Sequence, residues 1–131
     1  MGITRRQVET LLLIGVGGFI GANARYWVSI WAAARFGTAF PWGTLLINLT
    51  GSALLGVFNG WAGNHLNLDP RVRLFVAIGY FGAYTTFSTY ANESVTLLRA
   101  ADWISVLFNL LGSNALCIGG ALIGLLIGGR L

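Results

Sequence analysis

The stretch Gly82-Ala83-Tyr84-Thr85-Thr86 decides how this sequence folds, because it places a polar, glycine-containing break inside an otherwise apolar segment. A regular helix that faces lipid does not carry such a break. Non-helical backbone at membrane depth is tolerated only where protein buries it or where it lines a cavity, since it frees backbone carbonyls. We therefore predict that the functional site lies at or beside this stretch.

The charged residues are few and unevenly spaced, which indicates an integral membrane protein. They make up 9% of the 131 positions, whereas a soluble domain carries roughly a quarter. Three long runs contain none at all: residues 36–68, 74–92 and 103–129. Uncharged apolar runs of about 20 residues are typical of membrane-spanning helices, so we expect a multi-pass membrane protein in contact with the lipid bilayer.

The apolar segments predict an all-α fold with four transmembrane helices, the third of them broken, in a single domain over residues 1–131. Pro41 and Pro70 each begin a segment, where the missing proline N–H costs nothing. The connecting loops are short, so consecutive helices form a bundle with both termini on one side of the membrane. The helices are expected over about residues 8–34, 41–63, 70–98 and 103–129.

Glycines recur at helical spacing in three of the four segments. The spacing lets helix backbones approach closely in lipid, where no hydrophobic effect drives association. Four tightly packed helices leave little room for a pore within one subunit, so transport would require a dimer with its pathway at or near the interface. The glycines are Gly17 and Gly21, Gly56 and Gly60, and Gly120, Gly124 and Gly128.

Two segments carry a stripe of neutral polar residues on one helical face. An amide or hydroxyl in hydrocarbon is costly unless it is hydrogen-bonded, so contact between helices explains any one of them. Two stripes of the same spacing on different helices favour a solvated path lined by neutral donors. The stripes are Thr44, Asn48 and Ser52 in the second segment and Asn109, Ser113 and Cys117 in the fourth.

Two aromatic residues follow the break, Phe87 and Tyr90, one helical turn apart on a shared face. The edge of an aromatic ring is the positive end of its quadrupole, so it can attract an anion without formal charge. An aromatic packing ridge is the alternative explanation for this pair. The carbonyls freed by the break itself would suit a dehydrated Na⁺ or K⁺ ion.

Arg25 and Glu93 are the two charged residues inside the apolar segments. Arg25 stands about 21 Å along its helix from Leu11, so its side chain could reach the far interface. A structural ion pair or interfacial anchoring explains both residues. We also consider a basic vestibule that attracts an anion, with Glu93 orienting Arg25.

The remaining composition excludes several classes of protein. The net charge of +4 comes from arginines that stand singly or in pairs, mostly at segment ends, so no nucleic-acid binding is expected. One Cys and one His exclude an intramolecular disulfide and an all-His metal site. No Ser-His-Asp, Cys-His or paired-carboxylate arrangement falls within the apolar segments, so the protein is not expected to be an enzyme.

Three stretches of the chain resemble, in order, the signatures of the Fluc (CrcB-type) fluoride channels. Residues 17–26, GGFIGANARY, are similar to the first-helix signature of that family, and residues 43–52, GTLLINLTGS, to the second. Residues 82–90, GAYTTFSTY, resemble the third-helix motif, and the TTFST core in a broken segment is specific. The resemblance spans nearly the whole chain.

This resemblance implies a passive fluoride channel of the cell membrane that exports cytosolic fluoride and so reduces its toxicity. The implied assembly is an antiparallel, dual-topology homodimer with two fluoride pathways, each lined by both subunits. A structural Na⁺ at the dimer centre is implied, held by the main-chain carbonyls of Gly82 and Thr85. The residues implied for the fluoride pathway are Asn48, Phe87, Tyr90 and Ser113, together with Thr44 and Asn109 from the polar stripes.

The sequence departs from the family pattern in three ways. Tyr90 stands where the family has a second phenylalanine, and Asn109 stands where a fourth-helix tyrosine is common. A tyrosine in place of this phenylalanine keeps the aromatic ring edge and adds a hydroxyl donor, so fluoride passage should persist with Tyr90. The arginines are unevenly distributed over the two sides, which fits dual topology imperfectly.

The main alternative is a small proton-coupled multidrug-type antiporter, which is also a dimer of four-helix subunits. That mechanism needs a membrane-embedded carboxylate, and Glu93 is the only one in the apolar stretches after Glu9. A non-transporting assembly subunit is a second alternative, but it would leave the two polar stripes without a purpose.

Overall fold

Five helices, labelled in chain order, make up the computed structural model, which describes residues 2–131 and has no strand within them. Two of the helices, α3 and α4, together form the third predicted segment. The helix bounds lie close to the predicted ones: the first helix begins at Arg5 rather than Val8, and every other end lies within two residues of its predicted position. The helices are α1 (Arg5–Phe36), α2 (Trp42–Asn64), α3 (residues 70–84), α4 (Phe87–Arg99) and α5 (Trp103–Gly128).

The helix starts are fixed by local capping groups. The Thr4 hydroxyl accepts from the Gln7 amide at 3.3 Å and the Gln7 side chain accepts from the Thr4 amide at 2.8 Å, a capping box before α1. Asp69 caps α3, whose first residue is Pro70. Asp102 caps α5 by accepting from the Ser105 amide at 3.2 Å. These caps place the short loops at the ends of the bundle.

Three helices, α1, α2 and α5, are long and apolar enough to cross a membrane. The third segment is divided between α3 and α4, neither of which is long enough alone. Large apolar side chains are exposed along the outer faces of α1 and α5, as expected where lipid takes the place of water. The chain is therefore an all-α protein of the multi-pass membrane type.

The predicted break is present but narrower than expected. Only Thr85 and Thr86 leave the helical conformation, with φ and ψ of −78° and 158° and of −152° and 117°. Gly82, Ala83 and Tyr84 remain helical. The helix ends at Tyr84 because the Thr86 amide turns to a side chain of α2 and no longer continues the backbone ladder.

Two wide, π-helical turns were not predicted from the sequence. They occupy Leu74–Phe81 in α3 and Phe108–Gly112 in α5. A π turn places an extra residue in the helix and rotates the side chains that follow it, and such turns are frequent at functional sites. Three residues separate the first from the break, and the second ends directly before Ser113 in α5.

Glycines form two close backbone contacts between helices, as the spacing predicted. Between α1 and α3, a Cβ on Gly17 would clash with the Phe75 carbonyl oxygen. Between α2 and α5, a Cβ on Gly124 would clash with the Ala53 carbonyl oxygen. The contact between α2 and α5 continues along both helices, and we call it the glycine seam: Gly56, Gly60, Gly120, Gly124 and Gly128.

Aromatic and aliphatic side chains from α2 and α3 fill the centre of the subunit. Ile47 is 1% exposed and packs with Phe81 and Tyr84, each 7% exposed. Tyr80 stacks on Tyr84 with ring centroids 5.8 Å apart. This cluster fixes the end of α3 against α2, immediately before the break.

Candidate functional site

A cavity of about 280 Å³ lies between α2, the break and α5, and we call it the polar groove. The groove brings together all six residues predicted to line an ion pathway, although they come from three different helices, α2, α4 and α5. Side chains from both polar stripes face it, as their spacing predicted. Its lining consists of Thr44, Leu45, Asn48, Gly51, Ser52, Leu55, Thr85, Thr86, Phe87, Tyr90, Asn109, Ser113, Asn114 and Cys117.

Asn48 attaches the break to α2 through both ends of its amide. Its Nδ2 donates to the Thr86 carbonyl at 3.0 Å, and its Oδ1 accepts from the Thr86 amide at 2.8 Å. The Thr86 amide, which the break removes from the helical ladder, is thereby satisfied, and the Thr86 carbonyl gains a second donor beside the first hydrogen bond of α4. One Nδ2 hydrogen of Asn48 remains for the groove. Asn48 therefore both holds the break and faces the path.

Gly51 provides the space in which the break sits on α2. A Cβ at Gly51 would clash with the Thr85 side-chain methyl and would lie 3.1 Å from the Tyr84 ring. One turn away, the Thr50 and Tyr84 hydroxyls are 2.9 Å apart. Gly51 is required because the break and α2 approach each other closely at this position, and not because of its backbone torsion angles.

Two carbonyls at the break lose their regular helical partners. The Thr86 amide, which would bond the Gly82 carbonyl in a continuous helix, donates to Asn48. The Thr89 amide, which would bond the Thr85 carbonyl, donates to the Thr86 hydroxyl at 3.3 Å and so caps α4. The two carbonyls named from the resemblance are thus among those that lose their helical partners at the break.

Asn109 and Ser113 form a buried hydrogen-bonded chain at the α5 side of the groove. Asn109 is 2% exposed; its Nδ2 donates to the Ser94 hydroxyl at 2.9 Å, and its Oδ1 accepts from the Ser113 hydroxyl at 3.2 Å. The Ser94 hydroxyl in turn donates to the Tyr90 carbonyl at 2.8 Å. The chain connects α5 to α4, so Asn109 contributes to contact between helices as well as lining the groove.

Glu93 is hydrogen-bonded to Thr44 and not to Arg25. Its Oε1 accepts from the Thr44 hydroxyl at 2.9 Å, while its Oε2 is buried without a partner among residues 2–131. The predicted ion pair between Arg25 and Glu93 is therefore not formed within the chain. One of the two Glu93 carboxylate oxygens already accepts a hydrogen bond from Thr44, which lies one turn before Asn48.

Arg25 is half-buried and lines a separate cavity with Ser29, Thr44 and Thr89. The ion pair found in the described part of the chain joins Arg71 to Glu9 at 3.0 Å, at exposed ends of α3 and α1. Exposed pairs of this kind contribute little to stability. Arg25 thus keeps its charge close to the polar groove without neutralisation by Glu93.

Phe87 projects from the surface of the chain, whereas Tyr90 is half-buried beside it. Phe87 is 76% exposed, and the two ring centroids are 5.6 Å apart at an interplanar angle of 46°. An aromatic side chain this exposed contributes little to the packing of its own subunit. The pair is therefore not explained as an internal packing ridge.

Asn114 is a groove residue that the sequence analysis missed. Its Nδ2 donates to the Tyr90 hydroxyl and to the Leu110 carbonyl, both at 2.6 Å. It stands one residue after Ser113 and outside the stripe of four-residue spacing, so periodicity gave no signal for it. The π turn at Phe108–Gly112 precedes it and changes the helical register on which that spacing argument depends.

Comparison with known proteins identifies relatives over most of the chain. A family model described as "CrcB-like protein, Camphor Resistance (CrcB)" matches residues 12–125. A protein of Koribacter versatilis named fluoride-specific ion channel FluC is 45% identical over 115 residues, 88% of this chain and 91% of the relative. A protein of the same name from Trichormus variabilis is 42% identical over 89% of this chain and 86% of its own length. Another from Shewanella baltica is 41% identical over 85% of this chain and 89% of its own length.

Proposed function

The chain belongs to the CrcB-like family, and from that membership we propose that it is a fluoride-selective channel, not an enzyme, that lets cytosolic fluoride leave passively across the plasma membrane. The observation that carries the proposal is the polar groove. It gathers amide, hydroxyl and aromatic groups from α2, the break, α4 and α5 in one continuous lining. Fluoride is the ion that the names of the relatives specify.

The chemistry of the groove suits a small, strongly hydrated anion. Removing water from fluoride is costly unless hydrogen-bond donors replace it closely along the way. The groove offers neutral donors, including the free Nδ2 hydrogen of Asn48. Neutral groups bind the ion more weakly than a buried arginine would, and conduction requires sites that release the ion as well as accept it.

Two features of the lining determine where fluoride contacts the subunit. The ring edges of Phe87 and Tyr90 offer a positive electrostatic surface without formal charge. Thr44 and Ser113 stand on opposite walls, one on α2 and one on α5. Their hydroxyl protons are donated to Glu93 and Asn109 in this structure, so each hydroxyl must turn before it can donate to fluoride. Arg25 lies near the Thr44 end and raises the local concentration of anions at that entrance.

The working unit in this proposal is an antiparallel homodimer of dual topology. Phe87 supports it, because a side chain 76% exposed in one subunit is available to line a path completed by the partner. Phe87 stands beside Ser88 and Thr89, whose side chains are also exposed. The polar groove is thus one wall of a pathway, and the second subunit supplies the other.

A structural Na⁺ at the centre of this dimer fits the residues present. No group of three or more His, Cys, Asp or Glu that could hold a metal occurs among residues 2–131, so a cation here depends on neutral oxygens. The carbonyls of Gly82 and Thr85, which lack their helical partners, are suitable hard ligands. Bound there, Na⁺ would join the two breaks and raise the electrostatic potential for an anion nearby.

Efflux from liposomes tests the proposal directly. Purified protein is reconstituted into liposomes loaded with fluoride or chloride, and the external ion is followed with an electrode after the membrane potential is clamped. We expect fast fluoride efflux without a proton gradient and negligible chloride efflux. Equal efflux of both ions would refute selectivity, and efflux only with a proton gradient would favour the antiporter instead.

A further inference from the structure

We propose that Asn114 is a positioning residue that turns the hydroxyl proton of Tyr90 into the polar groove, where it donates a hydrogen bond to fluoride. The inference rests on the proposed function and adds a donor to it. Tyr90 stands where a phenylalanine is expected from the family resemblance. At this position, where a phenylalanine offers fluoride only its ring edge, Tyr90 would also offer an O–H group held in a fixed direction.

The direction of the hydrogen bond follows from a third group. The Nδ2 atom of Asn114 lies 2.6 Å from the Tyr90 hydroxyl oxygen and 2.6 Å from the Leu110 carbonyl oxygen. A carbonyl can only accept, so the atom facing it must be the amide nitrogen and not the amide oxygen. The two Nδ2 hydrogens are thus assigned to Leu110 and Tyr90. The Tyr90 oxygen is an acceptor in this contact, and its own proton remains free to donate elsewhere.

The polar groove is where we place the acceptor for this free proton. Tyr90 and Asn114 both line the polar groove, and the Tyr90 hydroxyl has no second hydrogen-bond partner among residues 2–131. Asn114 is itself held to α5 by its bond to Leu110, so the pair connects α4 to α5. An anion in the groove is then the partner that the hydroxyl lacks.

The contact with Asn114 also makes the hydroxyl a stronger donor. A hydroxyl that accepts one hydrogen bond is polarised and donates a second one more strongly. Hydrogen bonds to an ionised acceptor such as fluoride are shorter and stronger than neutral ones. The O–H group of Tyr90 therefore binds the ion more strongly than the ring edge of a phenylalanine would.

A double-substitution cycle on fluoride efflux tests this role. Wild type, Asn114→Leu, Tyr90→Phe and the double variant are compared in liposomes. Asn114→Leu should slow efflux about threefold to tenfold, as expected for one hydrogen bond, and raise the fluoride concentration for half-maximal efflux. In the Tyr90→Phe background, Asn114→Leu should change neither quantity, because the hydroxyl it positions is absent. Because the same hydrogen bond also connects α4 to α5, the unfolding temperature of all four proteins is measured as well. A merely structural role would lower that temperature in each single variant without raising the fluoride concentration for half-maximal efflux.

Controls separate this inference from the proposed function and from misfolding. Asn23→Leu removes an exposed amide with a comparable bond to the carbonyl four residues earlier, 2.7 Å to Phe19, but outside the groove; it should leave efflux unchanged. Asn114→Ala repeats the test with a smaller side chain if Asn114→Leu assembles poorly. Equal effects of Asn114→Leu in both backgrounds, or no effect in either, would overturn the inference. Wild-type selectivity for fluoride over chloride reports on the proposed function separately.

Discussion

The pair of helices α2 and α5 has a closed half, where the two backbones are in contact, and an open half, where a cavity separates them. Over the half near the carboxyl ends, the glycine seam brings the backbones so close that no Cβ fits between them. Over the other half, the same two helices separate around a cavity of about 280 Å³ lined with polar side chains. The seam holds the two helices together, and the polar half leaves the space that we propose as the path of the ion.

The largest effect is expected from adding a methyl group to the closed half. Gly124→Ala places a Cβ against the Ala53 carbonyl oxygen, so the helices must separate. Overpacking of this kind costs about 1–3 kcal/mol or more, which should lower the unfolding temperature in detergent and the yield of assembled protein. The matched control is Gly119→Ala in the same helix, where a Cβ meets nothing within 4 Å. Equal stability of the two variants would contradict the account of the seam.

A smaller but more specific effect is expected in the open half. Asn48→Leu leaves the buried amide of Thr86 without its partner, at a cost of about 1–3 kcal/mol, while the Thr86 carbonyl keeps the first hydrogen bond of α4. Fluoride efflux should fall to a small fraction of the wild-type rate, because a donor is lost and the break is released from α2. Asn59→Leu, an exposed amide on α2 outside the groove, should retain efflux. Wild-type efflux in Asn48→Leu would remove this residue from the pathway.

The smallest effect is expected at Asp102, which lies outside both halves. Hydrogen bonds from the Ser105 side chain and amide lower the pKa of the Asp102 carboxyl below its ordinary value of 3.8. Because the pKa is lowered in the folded state, the ionised carboxylate contributes its full stabilisation at pH values above the ordinary pKa. This contribution is lost as the pH falls through the lowered pKa of the folded state.

Asp102→Ala should therefore lower the unfolding temperature slightly at pH 7 and remove this one contribution to acid sensitivity. The control is Asp102→Asn, which keeps a capping side chain without the titration. Thermal unfolding followed between neutral and strongly acidic pH would measure both effects. A larger loss than that of Gly124→Ala would reverse the proposed ranking.

Much of the fold could be predicted because lipid and helix geometry constrain the sequence strongly. Apolar segments predicted four membrane spans at nearly the observed positions, with the third divided between α3 and α4, and glycine spacing indicated which faces come into contact. The break at Thr85 and Thr86 was predicted from composition, but its narrow extent was not. That extent depends on Asn48, a residue of another helix whose partner no local pattern reveals.

The site could be predicted in part. The stripes identified Thr44, Asn48, Asn109 and Ser113 as residues that share one face of their helix, and the structure places them in one groove. Asn114 was missed because a π turn in α5 alters the helical register, and no composition signal marks such a turn. The pair of Arg25 and Glu93 was predicted from opposite charge alone, which could not anticipate that Thr44 bonds the carboxylate first.

The central claim, that fluoride passes along the polar groove, is tested most directly by a pair of identical substitutions. Phe87 and Phe19 are similarly exposed, at 76% and 71%, but only Phe87 lines the groove. Fluoride efflux from liposomes is measured for Phe87→Ile and Phe19→Ile, with assembly checked by gel filtration. We predict that Phe87→Ile slows fluoride efflux about tenfold, because the ring edge is lost, and that Phe19→Ile leaves it near the wild-type rate. Unchanged efflux in Phe87→Ile, or an equal decrease in both variants, would contradict the account.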